Sequence, residues 1–261
     1  METAKKHDSR RIGLLDEIRG FSVFLMILYH GFYLMSEVFD LPSGSMLFRF
    51  FMPVQPLISG IFIAVAGISS RLSRSNAVRG AKLLGVALAF TLATAVLLPL
   101  MGLEGFGIYF GILHFLSVSM LIFALARPAL SRIPPAWGIV LCMALYVLTA
   151  GIGDGYLGIA PDFKLIIPAQ FYELSWLFPI GICTADFTSA DYFPIFPRIF
   201  LFLAGTYFGI FVKSEKLPAW VCKTRVKPVA WLGRKALLVY IVHVPVLYAL
   251  IALVNLIAGS V

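Results

Sequence analysis

Charge is what this chain has least of. Only 13% of its 261 residues are Asp, Glu, Lys or Arg, while 60% are hydrophobic and the mean hydropathy is +0.94. A soluble domain carries about 25% charged residues. The scarcity excludes a water-soluble globule and leaves a bilayer as the solvent. Cysteine is scarcer still: Cys142, Cys183 and Cys222, with no CxxC spacing. In the topology read below these three fall at mid-membrane, outside and inside, too far apart for disulfide geometry, and they carry no metal signature. HExxH, P-loop and GxSxG motifs are missing, so a serine-hydrolase reading has no support. There is no solenoid repeat and no low-complexity tract.

What is present is a series of apolar runs bounded by charge clusters. Runs of about 20 residues, long enough to cross a bilayer, fall at 14–37, 51–70, 81–101, 106–126, 136–151, 194–212 and 229–257. The expected fold is all-α: a polytopic transmembrane helix bundle of about seven spans in a single domain over 1–261. The 22 Gly and 15 Pro suit helices that pack closely and kink in lipid. The segment 165–182 is apolar but interrupted by Pro168, Glu173 and Pro179. It is expected to be an external interfacial or re-entrant piece, with an eighth span as the alternative. A signal peptide is not expected, because the first apolar run is too long, follows Asp16, Glu17 and Arg19, and lacks a small-residue cleavage site.

With alternating spans, eighteen of the 21 Lys and Arg residues fall on one side. Arg49, Lys164 and Arg198 fall on the other. The positive-inside rule makes the clustered side cytoplasmic, with the N-terminus inside and the C-terminus outside. The net charge of +8 is thus spent on orientation, and no nucleic-acid partner is implied. The longest loop, 152–193, is external and holds five acidic residues, Asp154, Asp162, Glu173, Asp186 and Asp191, among aromatics. It reads as solvated turns and an interfacial aromatic belt, or as a cover for a polar substrate such as a sugar.

Three of the four histidines, His30, His114 and His243, lie inside expected spans. Ionisable side chains at membrane depth are costly and face a bundle interior or a wet cavity. A lone buried histidine is more often a structural hydrogen-bonder, so agreement of depth matters. At ~1.5 Å per residue, His30 stands roughly 24 Å and His243 roughly 21 Å from the inner ends of their spans, and His114 roughly 12 Å below the outer end of its own. All three fall in the outer half of a core about 30 Å thick. Arg19 and His30 are 11 residues apart, almost three helical turns, and share a face. Asp16 lies on the same face and is placed to pair with Arg19. The plainer reading of Arg19 is a snorkelling anchor. Tyr240 with His243 ahead of Pro245, and Gln55 with Ser59, are further polar sets that also serve as ordinary helix–helix contacts.

Four segments, "RIGLLDEIRGFSVFLMILYH", "GILHFLSVSM", "DYFPIFPRIFLFLAGTYFG" and "GRKALLVYIVHVPVL", resemble in order the heparan-α-glucosaminide N-acetyltransferase family of small bacterial membrane proteins. The arginine-x10-histidine spacing from Arg19 to His30 also resembles the first helix of larger membrane O-acyltransferases that modify envelope sugars. Those proteins are longer and have more spans, so the length favours the first family. The resemblance implies transfer of an acetyl or other short acyl group from cytoplasmic acyl-CoA to an amino or hydroxyl group on an extracytoplasmic sugar or glycan. It implies a multi-pass protein of the bacterial inner membrane and no metal. It carries over to His30 as the leading catalytic position, with Arg19, His114, Asp191, Arg234 and His243 at matching positions. The animal lysosomal members have asparagine where His30 stands, so the resemblance does not by itself carry over their mechanism, including any acetyl-histidine intermediate.

In this reading the phosphates of CoA are drawn to basic residues at the inner face: Arg19, Arg71, Arg74, Arg79, Arg234 and Lys235. Neutral imidazole at His30 serves as general base or acyl carrier, with His243 or His114 orienting it or holding an oxyanion. Asp191, Tyr240 and Gln55 are the candidate substrate contacts. The oligomeric state is open, a homodimer among the options. The competing reading is a small-solute transporter or flippase with the histidines as a proton relay, against which stand the missing internal repeat and the odd number of spans. A third is an accessory protein without chemistry, which predicts histidines that point apart.

Overall fold

The computed structural model describes residues 12–214 and 217–258. In chain order the elements are α1 (Gly13–Tyr33), continued by a π-helical turn Leu34–Val38, α2 (Pro42–Phe51), α3 (Gln55–Leu72), α4 (Asn76–Leu92) and α5 (Leu98–Leu100). Then come α6 (Ile112–Leu130), α7 (Pro135–Thr149), β1 (Tyr156–Ile159), β2 (Phe163–Ile166), α8 (Arg198–Ser214), α9 (Ala219–Cys222), α10 (Lys227–Arg234) and α11 (Ala236–Ala258). The protein is a polytopic helical membrane protein. Among the described residues, six helical rods are long and apolar enough to cross a membrane: Gly13–Val38, Pro42–Leu72, Asn76–Leu100, Ile112–Leu130, Pro135–Asp154 and Ala236–Ile257. Their surfaces keep Leu100, Leu125 and Leu256 more than 70% exposed, an arrangement that suits acyl chains and not water.

Several expected boundaries shift, each for a local reason. The second rod starts at Pro42 and not near 51, because proline at the first turn starts α2 and the 3-10 turn Met52–Val54 joins it to α3. The run expected over 106–126 becomes Ile112–Leu130, because Gly102 and Gly105 take positive φ in the loop before it. The run expected over 194–212 becomes α8, 17 residues long, about 25 Å at the helical rise. The run expected over 229–257 is split: α10 stops at Arg234 and α11 starts afresh at Ala236. The segment 165–182 holds no spanning helix. It completes an antiparallel hairpin, Tyr156–Ile159 on Phe163–Ile166, and continues in 3-10 turns over Ala169–Glu173 and Ser175–Ile180. Pro168 and Pro179 deny it a continuous helical ladder.

The described residues pack as two compact units, one of residues 12–65 and 217–258, the other of residues 66–214. In the first, α1 lies against α10 and α11. Its closest crossing is at Gly20 and Gly233, where a Cβ on either would run into backbone of the other helix, the carbonyl of Val229 or of Asp16. Small residues at such crossings let helix backbones approach in lipid, where dispersion supplies the attraction. Glu17, ahead of this crossing, anchors it. The Glu17 carboxylate accepts from the backbone N–H groups of Arg225 and, at 2.8 Å, Val226, at the start of α10.

In the second unit α4 packs on α6 and α7 on α8. Gly138 leaves room for the Tyr207 ring, whose hydroxyl donates to the Leu130 carbonyl at 3.0 Å. Gly67 admits the backbone of α8 at Phe202 in the same way. The long loop has its own small core of Ile152, Leu177 and Ile182.

Candidate active site

The first unit brings two of the three membrane histidines together. His30 on α1 and His243 on α11 have ring centroids 4.9 Å apart at an interplanar angle of 73°. Each histidine lies ten residues beyond its glycine, Gly20 or Gly233, and on the second side the path leaves α10 at Arg234 and enters α11 at Ala236.

The hydrogen bonds assign the tautomers. His243 Nδ1–H donates to the Tyr240 carbonyl at 2.8 Å, which leaves Nε2 as an acceptor. His30 Nδ1–H is shared between the Met26 carbonyl at 3.0 Å and His243 Nε2 at 3.3 Å. With Nδ1 carrying the proton, the lone pair of His30 is on Nε2. Tyr240 stands beside the pair, its ring 5.7 Å from that of His243. Tyr29 meets the His30 ring edge-on at 5.4 Å. The arrangement holds a neutral imidazole rigidly by its back nitrogen and presents the front nitrogen as a base or nucleophile.

Arg19, three turns below His30 on α1, pairs with Asp16 at 3.2 Å, as their spacing leads one to expect. Arg234 and Lys235, both exposed, directly follow Gly233 and so flank the same crossing as Arg19. Gln55 is half-buried at the first residue of α3. Ser59, expected on its face, turns its hydroxyl back to the Pro56 carbonyl at 3.1 Å.

His114 belongs to the second unit and has no ring nitrogen to spare. Its Nδ1 accepts the Gly111 N–H at 3.3 Å, and its Nε2–H donates to Thr91 Oγ1 at 3.1 Å, whose own proton goes to the Ile108 carbonyl at 2.8 Å. The histidine closes the first turn of α6 as a capping residue. Asp191 supports the same helix end: its Oδ2 accepts the Ile112 N–H at 2.9 Å, where the helix dipole favours a carboxylate. The partners Thr91 and Ile108 are absent from the sequence reading, and no spacing in the chain would have pointed to them.

Arg71 departs from the surface position expected of it. It is 5% exposed. Its Nε donates to the Thr206 carbonyl at 3.0 Å and its Nη1 to Ser131 Oγ at 3.3 Å, and its guanidinium lies 5.0 Å from the centre of the Phe123 ring. The reason lies on α8: Gly209 has no side chain, and the stem of Arg71 packs into the space. The guanidinium thus ties α3 to α8 and to the end of α6. Arg74 and Arg79 are exposed.

Among the described residues no group of three or more His, Cys, Asp or Glu side chains is arranged to hold a metal ion. A family model described as heparan-alpha-glucosaminide N-acetyltransferase, catalytic, matches residues 11–245. No curated protein and no solved structure shows significant similarity.

Proposed function

The chain belongs to the heparan-α-glucosaminide N-acetyltransferase catalytic family, and on that premise we propose that it moves an acetyl group from acetyl-CoA, supplied at the cytoplasmic face of a bacterial inner membrane, to an amino or hydroxyl group of an extracytoplasmic sugar. The observation that carries this reading is the His30–His243 pair, with one nitrogen of His30 left to act. The acceptor attacks the thioester carbonyl while His30 Nε2 takes its proton. The carbon–sulfur bond breaks, and the imidazolium returns the proton to the departing thiolate. His243 steadies His30 by accepting the His30 Nδ1–H at its Nε2, and shares the positive charge that develops. Arg19, Arg234 and Lys235 attract the phosphates of CoA, with Arg74 and Arg79 as further basic contacts. Arg71, His114 and Asp191 act by holding helices in place. Tyr240 and Gln55 remain the acceptor contacts of this proposal.

The family match favours transfer chemistry over the transport reading. The test is incubation of the purified protein with acetyl-labelled CoA and a panel of amino sugars. Label in the sugar fraction supports the proposal. Label that stays on CoA across the whole panel, with acetyl-CoA bound or unbound, overturns it.

A further inference from the structure

Arg71 is buried, and its fork is only partly used. Nε donates to the Thr206 carbonyl and Nη1 to the Ser131 hydroxyl. Nη2 is closed off from solvent and meets no acceptor among the described residues. Both acceptors that Arg71 does have are neutral. Its charged neighbour is a second cation, Arg127, and among the described residues no carboxylate stands with the two. Arg127 is half-buried, and its side chain makes no hydrogen bond or ion pair among the described residues.

The spacing in α6 explains why the two cations meet. Phe123, Arg127 and Ser131 follow one another at intervals of four and share a face. Arg71 lies along that face, its guanidinium 5.0 Å from the centre of the Phe123 ring and bonded to Ser131 at the far end. Arg127 falls between them. Ser131 is exposed, so the stripe opens to the surroundings at that end. Arg71 and Arg127 each occupy the last turn of their helix, α3 and α6. A helix C-terminus supplies about half a negative charge, so the two ends offset roughly one of the two positive charges. The remainder has no partner, and a buried charge left unpaired is costly.

Independently of the transfer chemistry, we propose that this stripe binds a singly charged phosphate group, that of a phospholipid headgroup. Charge and place both fit. A phosphodiester carries the single negative charge that the stripe lacks. Ser131 lies in the short connection between the spans Ile112–Leu130 and Pro135–Asp154, at the level where headgroups begin. Its hydroxyl accepts from Arg71 and keeps its own proton to give. One phosphate oxygen accepts that proton and another the fork of Arg127. Arg71 backs the anion with its charge and its unused Nη2–H. Inorganic phosphate offers the same chemistry from solution.

The test uses the full chain, stripped of lipid in detergent, with its melting temperature followed against added phosphatidylglycerol, diacylglycerol of the same chains, or inorganic phosphate. Phosphatidylglycerol is expected to raise the melting temperature, and diacylglycerol to leave it unchanged. Arg127→Gln raises the half-saturating concentration of phosphatidylglycerol about ten-fold or more. Arg127→Lys gives an intermediate value, since charge returns without the fork. Arg132→Gln removes the same charge from an exposed neighbour and leaves the value near that of the wild type. An equal response to inorganic phosphate, lost in Arg127→Gln, upholds the phosphate site and gives it to a soluble anion. Equal weakening by Arg127→Gln and Arg132→Gln shows general attraction of anionic lipid to a basic surface and overturns the site. It is overturned as well if neither phosphate compound stabilises the wild type, which leaves Nη2 to a buried water, or if Arg127→Gln weakens only the response to acetyl-CoA.

Discussion

The two units hold histidines of opposite character. In the first, His30 and His243 are each pinned by one nitrogen to a helix carbonyl and then face each other. In the second, His114 spends one nitrogen on the Gly111 N–H and the other on Thr91. Both kinds are intramembrane imidazoles on apolar helices. Residue type and depth do not tell them apart. What separates them is whether a nitrogen remains once the fold has taken what it needs. A histidine with both nitrogens committed to backbone and hydroxyl holds a helix end in place. One with a lone pair to spare has a proton acceptor to offer.

The comparison breaks most sharply at His30. His30→Ala is expected to lower the rate of acetyl transfer by about 10²–10⁴-fold, the usual contribution of a general base, with the melting temperature in detergent near that of the wild type. Full transfer by a folded variant would remove His30 from the chemistry. The next effect is at the crossing ten residues before each histidine. Gly20→Val places a side chain against the Val229 carbonyl and is expected to destabilise by about 3 kcal/mol or more, beyond ordinary overpacking because backbone has to move. Thermal denaturation measures the loss. Any folded fraction should transfer slowly, since α10 and α11 shift together.

His114→Ala is the contrasting case. It strands the Gly111 N–H and the Thr91 hydroxyl and is expected to lower stability by about 2 kcal/mol. Its folded form should keep kcat within a few-fold of the wild type. A loss as large as that of His30→Ala, without loss of stability, would place His114 in the chemistry and erase the distinction between the units. The mildest change is Asp191→Asn, which keeps an acceptor at the start of α6 and removes the charge. About 0.3–1 kcal/mol of stability is expected to go with the dipole interaction, visible as a small fall in melting temperature.

Much of the fold was legible in residue order. Apolar runs near the minimum length for a bilayer predicted the rods, and the Asp16–Arg19 pairing followed from a spacing of three. The resemblance in four ordered segments agrees with the family match. Other features were not legible. The hairpin at 156–166 is only four residues per strand, too short for a periodic signal to rise above an apolar background. The burial of Arg71 depends on Gly209, which is 138 residues away in the chain.

The amino-acid order alone determined the solvent of this protein, its all-helical polytopic class and the acetyltransferase family to which it belongs. The solvent and the rods are properties of composition and local period, and the family rests on four ordered segments that resemble it. Only the tertiary structure decided which histidines meet. Depth counted from the helix ends put all three in one half of the membrane for a reason that fails, because the last run is two helices and His243 stands seven residues, not fourteen, into its own. The meeting is set by two glycines from opposite ends of the chain. Their missing side chains let two backbones touch, and ten residues of chain lead from that contact to each of His30 and His243.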